Sequence, residues 1–186
     1  MADLSLKQIE KILATHQHSG GDGTERLRNQ DLQQIGKTVL VSATTSMRID
    51  IPPKQFLRIL IQWGAKSGSS NDFLRFNNDS GNNYSFIEAG GTARTSQGQI
   101  DVRDALNSAL GGFSVIDVAN NLSTIVKSVV AHTVNRITSA GTAQTFNQIF
   151  GTWVQTTDFI TRIDLVSSGA ATYPVGSSIL IFGSKE

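Results

Sequence analysis

Among the 186 residues of this chain, the first with real chemical reach are His16 and His18. Residues two apart on an extended chain point the same way, so both imidazoles could face one centre. Two imidazoles alone hold a metal weakly. Three chains meeting on an axis would bring six nitrogens together, an octahedral set suited to a divalent transition metal. The other reading is two solvated histidines in a glycine-rich linker. Asn77-Asn78-Asp79-Ser80-Gly81 is the next stretch of interest, because Glu88 stands where the twelfth ligand of a calcium loop would be. Such a loop needs glycine at its sixth place, and Asn82 occupies it, so the stretch reads as a hairpin turn. Gly36-Lys37-Thr38 matches the end of a phosphate-binding loop, but Asp31 stands where its first glycine belongs, and a carboxylate there repels phosphate.

Acid–base and nucleophilic chemistry find no frame. Asp50, Asp117, Asp158 and Asp164 occur singly, and no Gly-x-Ser-x-Gly elbow is present. His132 sits in a strand pattern as a hydrogen-bonded β residue. The expectation is a protein without enzymatic activity. Trp63, Trp153, Tyr84, Tyr173 and Phe159 could supply a stacking platform for a sugar ring. The two tryptophans share faces with apolar neighbours and read as core. Tyr84 and Tyr173 lie beside loops and are the candidate ligand-facing aromatics.

The elements that must position these residues centre on Met47 to Ile87. Met47, Ile49 and Ile51 alternate with charged residues, and Leu57, Ile59, Ile61 and Trp63 repeat the period of two. Phe73 to Phe76 and Tyr84 to Ile87 follow, divided by the Asn-rich turn. Val39-Leu40-Val41 opens the β pattern. Further strands are expected at Phe113 to Val118, Ile125 to Ala131, Val134 to Thr138, Phe146 to Val154, Phe159 to Val166 and Ser178 to Phe182. About ten short strands predict a mainly β fold, an antiparallel β-sandwich or barrel. Gly64 to Asn71 and Glu88 to Gln99 read as loops. Asp101 to Leu110 reads as a helix ended by Gly111-Gly112.

Ahead of the β pattern, Ser5-Leu6-Lys7-Gln8 fits a capping box and predicts a short N-terminal helix. Leu6, Ile9, Ile12 and Leu13 make its apolar stripe, either the seam of a short coiled coil or a face docked on the β domain. A linker from Thr15 to Gly23 follows. Asp31 could cap a single turn that Gly36 stops. The expected organisation is therefore an anchor and oligomerisation segment, 1–36, and a β domain, 37–186.

Composition narrows the partners. Sixteen basic and fifteen acidic residues leave a net charge of +1, without the electrostatic footprint that nucleic acid or an anionic membrane attracts. No cysteine is present, so disulfides and thiolate chemistry are excluded. The N-terminus lacks the order of a signal peptide and no apolar run is long enough to span a membrane, which predicts a soluble chain made in a cytosol.

Taken together, the short helix, the His16-Gln17-His18-Ser19-Gly20-Gly21-Asp22-Gly23 linker, the run Leu74 to Ser85, Phe150-Gly151-Thr152-Trp153 and Gly176 to Gly183 carry a resemblance. The chain resembles tailed-bacteriophage virion proteins of the minor structural, head-fibre and tail-fibre kinds. The resemblance implies a jelly-roll β domain, a homotrimer, and an N-terminal segment that plugs into the particle among other virion proteins after synthesis in the host cytoplasm. His-x-His pairs bind iron along some phage long tail fibres, and His16 and His18 match that short pattern. A carbohydrate-binding module for host surface glycan is the alternative function.

Overall fold

The alternation along the chain becomes twelve strands in the computed structural model, which describes residues 32–68, 70–103, 111–120, 126–135 and 145–184. They are β1 (Gln33–Val39), β2 (Ser46–Asp50), β3 (Phe56–Trp63), β4 (Asp72–Phe76), β5 (Tyr84–Glu88) and β6 (Arg94–Gln97). β7 (Ile100–Arg103), β8 (Gly112–Ala119), β9 (Lys127–Asn135), β10 (Thr145–Trp153), β11 (Arg162–Ser167) and β12 (Ser178–Gly183) complete the set. No helix occurs among the described residues. The period of two decides which side of each strand is inside. In β3, Leu57, Ile59, Ile61 and Trp63 are buried while Phe56, Arg58, Leu60 and Gln62 look outward.

All pairings are antiparallel and form two sheets, β1-β12-β3-β8-β9-β10-β5-β6 and β2-β11-β4-β7. The order has a simple origin. β1 pairs with β12, β2 with β11, β3 with β8 and β4 with β7, so the chain behaves as one long hairpin whose arms alternate between the two sheets. β9, β10, β5 and β6 then widen the larger sheet beyond β8. Both inner faces feed one core, with Met47, Leu74, Phe76, Ile100, Ile163 and Leu165 from the smaller sheet against Ile59, Ile116, Val129, Ile149 and Ile181 from the larger. Gly151 shows how closely the sheets meet, since a Cβ there would lie 2.9 Å from Ile100 Cδ1.

Several expectations change. β1 begins at Gln33, inside the segment expected to be the anchor, and Gly36 sits at an irregularity in its pairing rather than stopping a helical turn. Its hydrogen-facing side lies against Ile49, where a Cβ would be 2.8 Å from Cδ1. Leu40 and Val41 follow β1 instead of forming a strand of their own. Residues 101–103 of the expected Asp101 to Leu110 helix belong to β7, because Ile100 and Val102 alternate into the core, and residues 104–110 lie outside the described residues. The expected Glu88 to Gln99 loop contains β6. Two expected strands on either side of His132 are the single strand β9. Finally, Asn77 to Asn83 is no hairpin turn, since β4 and β5 belong to different sheets and the segment crosses between them.

Candidate functional site

Tyr84 and Tyr173 are buried rather than ligand-facing. Tyr84 opens β5 on the inward phase, where its hydroxyl accepts the Phe76 N–H at 2.9 Å and donates toward the Asp79 carbonyl at 3.2 Å. Its ring stacks on Trp153 with centroids 6.2 Å apart. Burial pushes the Tyr84 hydroxyl pKa well up. Trp153 Nε1 donates to Asp79 Oδ2 at 2.7 Å, and Gly81 N–H donates to Oδ1 at 2.8 Å. Desolvation alone would raise the Asp79 carboxyl, but the hydrogen bonds from Trp153, Asn83 and Gly81 outweigh it and hold the pKa below the usual carboxylate value. These are ties that fix a crossing segment to the core, not a platform for a sugar.

Tyr173 belongs to a second inward cluster. Its hydroxyl donates to Asp72 Oδ1 at 2.6 Å, the same oxygen that receives Lys66 Nζ at 2.5 Å. Lys66 and Asp72 side chains are wholly buried, and the ammonium lies 4.9 Å from the Tyr173 ring centroid. Ser70 Oγ meets Ser167 Oγ at 2.6 Å beside them. The Gly64 to Asn71 segment thus turns Lys66 and Ser70 inward. Removing one member of such a pair strands a buried charge, which costs about 3–5 kcal/mol.

The remaining sequence candidates disperse. Lys37 and Thr38 lie on β1, and Glu88 ends β5. Asp50 pairs with Arg48, Asp117 with Arg58, and Asp164 with Arg162. His132 Nε2 is 3.2 Å from Gln148 Nε2, and its ring meets Phe146 edge-on with centroids 5.7 Å apart. Among the described residues, no three His, Asp or Glu side chains converge as a metal site. His16, His18, Leu6, Ile9, Ile12 and Leu13 lie outside the described residues. A small opening is lined by Asn71, Phe86, Glu88, Arg94, Asp101 and Ile149. There Asn71 Nδ2 donates to Asp101 Oδ2 at 2.6 Å, and the Arg94 guanidinium lies 5.6 Å from the Phe86 ring.

The largest contrast lies between the two outer faces. On the smaller sheet Arg48, Asp164 and Arg75 stand side by side across β2, β11 and β4, flanked by Asp50, Arg162 and Gln99. That face is a charged lattice suited to water. On the larger sheet the register aligns Ile87, Phe150, Val130, Asp117, Arg58 and Phe182 in one row. The next row is Gln148, His132, Val115, Leu60 and Leu180, and the one beyond is Phe146, Val134, Phe113, Gln62 and Ser178. Phe146 is 57 % exposed, Phe150 44 % and Phe113 43 %. A fourth row, Ser85, Thr152, Ser128, Ala119 and Phe56, is polar at its β5 end, so the exposed phenylalanines gather toward the other rows, more apolar surface than an antiparallel sheet commonly turns to water. The sequence reading missed the face, although Phe113, Phe146 and Phe150 fall on the odd-even phase opposite to the core residues of their strands.

Compared with models of known protein families, with curated proteins and with solved structures, the chain finds no match.

Proposed function

We propose that the chain is a non-enzymatic structural protein of a bacteriophage particle, a homotrimeric fibre or decoration component held by its N-terminal segment and displaying a jelly-roll domain. The pairing of β1 with β12, inward to β4 with β7, supports a jelly roll, an architecture of viral capsid and lectin domains. The observation that carries the reading is the contrast between a charged outer face and an apolar one, because a domain built for assembly keeps one side for water and one for neighbours. The phage assignment rests on the sequence resemblance. Mass spectrometry of purified particles from cells that make the chain is the test. The chain is expected as a particle component in a copy number divisible by three; its presence in the lysate but not in washed particles would reject the proposal.

A second reading, a module for host surface glycan, draws on the opening at Asn71, Glu88, Arg94 and Asp101, whose polar groups surround Phe86. Glycan-array binding that is lost in Arg94→Ala would favour it, and an array without binding alongside particle incorporation would remove it.

A further inference from the structure

Three features lie outside the ties described above: the opening beside Asp101, the buried amine of Lys127, and the apolar outer face of the larger sheet. The opening is small and one of its carboxylates is already bonded to Asn71. Lys127 is enclosed, with no described path for a ligand. The outer face carries an inference furthest.

We propose that a second copy of this chain covers the outer face of β8, β9, β10 and β5, with Phe113, Phe146 and Phe150 as its central contacts. This rests on the assembly reading above and deepens it by naming the contact surface. Charge is the first argument for a copy. Across the outward rows from β5 to β12 the only carboxylate and the only guanidinium are Asp117 and Arg58, and they pair with each other at 2.7 and 2.9 Å. A face that is neutral within itself meets its own copy without like-charge repulsion, whereas a polyanion or an acidic partner finds nothing to bind. Each outward residue occupies a cell of about 4.8 by 6.8 Å, so the outward positions of β5, β10, β9 and β8 project roughly 450 Å². That is more than half of the ~800 Å² one partner gives to a standard interface. Composition is the third argument. Three phenylalanines with Ile87 and Val130 surround one charge pair and the His132–Gln148 contact, the pattern of aromatic anchors in a charge-depleted interface core.

The test measures the mass of the full chain by multi-angle light scattering, for the native sequence, for the double variant Phe146→Glu/Phe150→Glu, and for Arg48→Ala on the charged face. Both phenylalanines are exposed in the single chain, so the double variant keeps its core, and near-UV circular dichroism reports on that. Expected is an oligomer for the native chain and for Arg48→Ala, and a folded particle of one chain mass for the double variant. A double variant that keeps the native mass overturns the contact surface while leaving the trimer intact. A native dimer that the variant dissociates upholds the surface and rejects the trimer. A native chain of single mass at high concentration overturns both, and particle mass spectrometry then decides the structural role by itself.

Discussion

Lys127 is the residue whose chemistry is least settled by its neighbours. It is 1 % exposed at the start of β9, its ammonium has no hydrogen-bond partner among the described residues, and the Trp153 ring centroid lies 5.9 Å away. Burial lowers its pKa, and Asp158 only partly opposes the shift. Between the depressed folded pKa and the ordinary value near 10.5, the unfolded chain holds a proton that the folded chain has lost. Stability contributed by this group therefore rises with pH through that alkaline window, and below it a constant penalty remains. Lys127→Met should raise stability near neutral pH by about 1–3 kcal/mol and flatten the alkaline rise; urea titrations at several pH values check both. Its inward direction was legible, since Lys127 shares the phase of Val129 and Ala131. Tyr84 was equally legible by its spacing from Phe86, and its closeness to the Asn-rich turn misled because a loop neighbour says nothing about which way the strand's first side chain points. Tyr173, outside any strand, carries no such phase.

At the scale of elements, the crossing from β4 to β5 is held by side chains instead of by strand pairing. Asn77 and Asn78 adopt positive φ of 51° and 59°, a region Asn tolerates better than most residues. Asn77 Oδ1 accepts the Thr161 and Arg162 N–H groups at 2.9 and 3.0 Å, and Nδ2 donates to the Phe159 carbonyl at 2.8 Å. One side chain thus ties the end of β4 to the approach to β11. Asn77→Ala removes all three bonds, and at about 0.5–1.5 kcal/mol each it should destabilise by roughly 2–4 kcal/mol, seen as a lower urea midpoint at unchanged slope. The turn itself was legible from composition. Its destination was not, because turn residues specify a local bend and not the sheet in which the next strand finds a partner. β6 was invisible for a plainer reason: Arg94-Thr95-Ser96-Gln97 has no apolar residue to show a period. β2 and β3, with strict alternation, stand where the spacing placed them.

For the whole molecule, the antiparallel β class followed from alternation alone, and strand order did not, since the period reveals a face and leaves the neighbour open. The two outer faces illustrate the same limit. Phe113, Phe146 and Phe150 were countable as apolar residues, but only the register sets them beside one another. The N-terminal helix, its stripe and the two histidines lie outside the described residues, so the anchor remains part of the proposal.

The pairing of β1 with β12 also sets a clock. Gln33 lies opposite Gly183, and β3 takes β12 as its other neighbour. At synthesis rates of about 5–20 residues per second, roughly 8–30 s separate these two partners on the ribosome. For that interval β1 waits for β12, and the larger sheet is missing the strand that joins β1 to β3. A chain ending at residue 177 would never leave this state, and it should collect in the pellet of a lysate whose full-length counterpart stays in the supernatant. Closure of the larger sheet is therefore written into β12, so that a ribosome stalling inside that strand yields a chain with most of its core sequence and no way to close it.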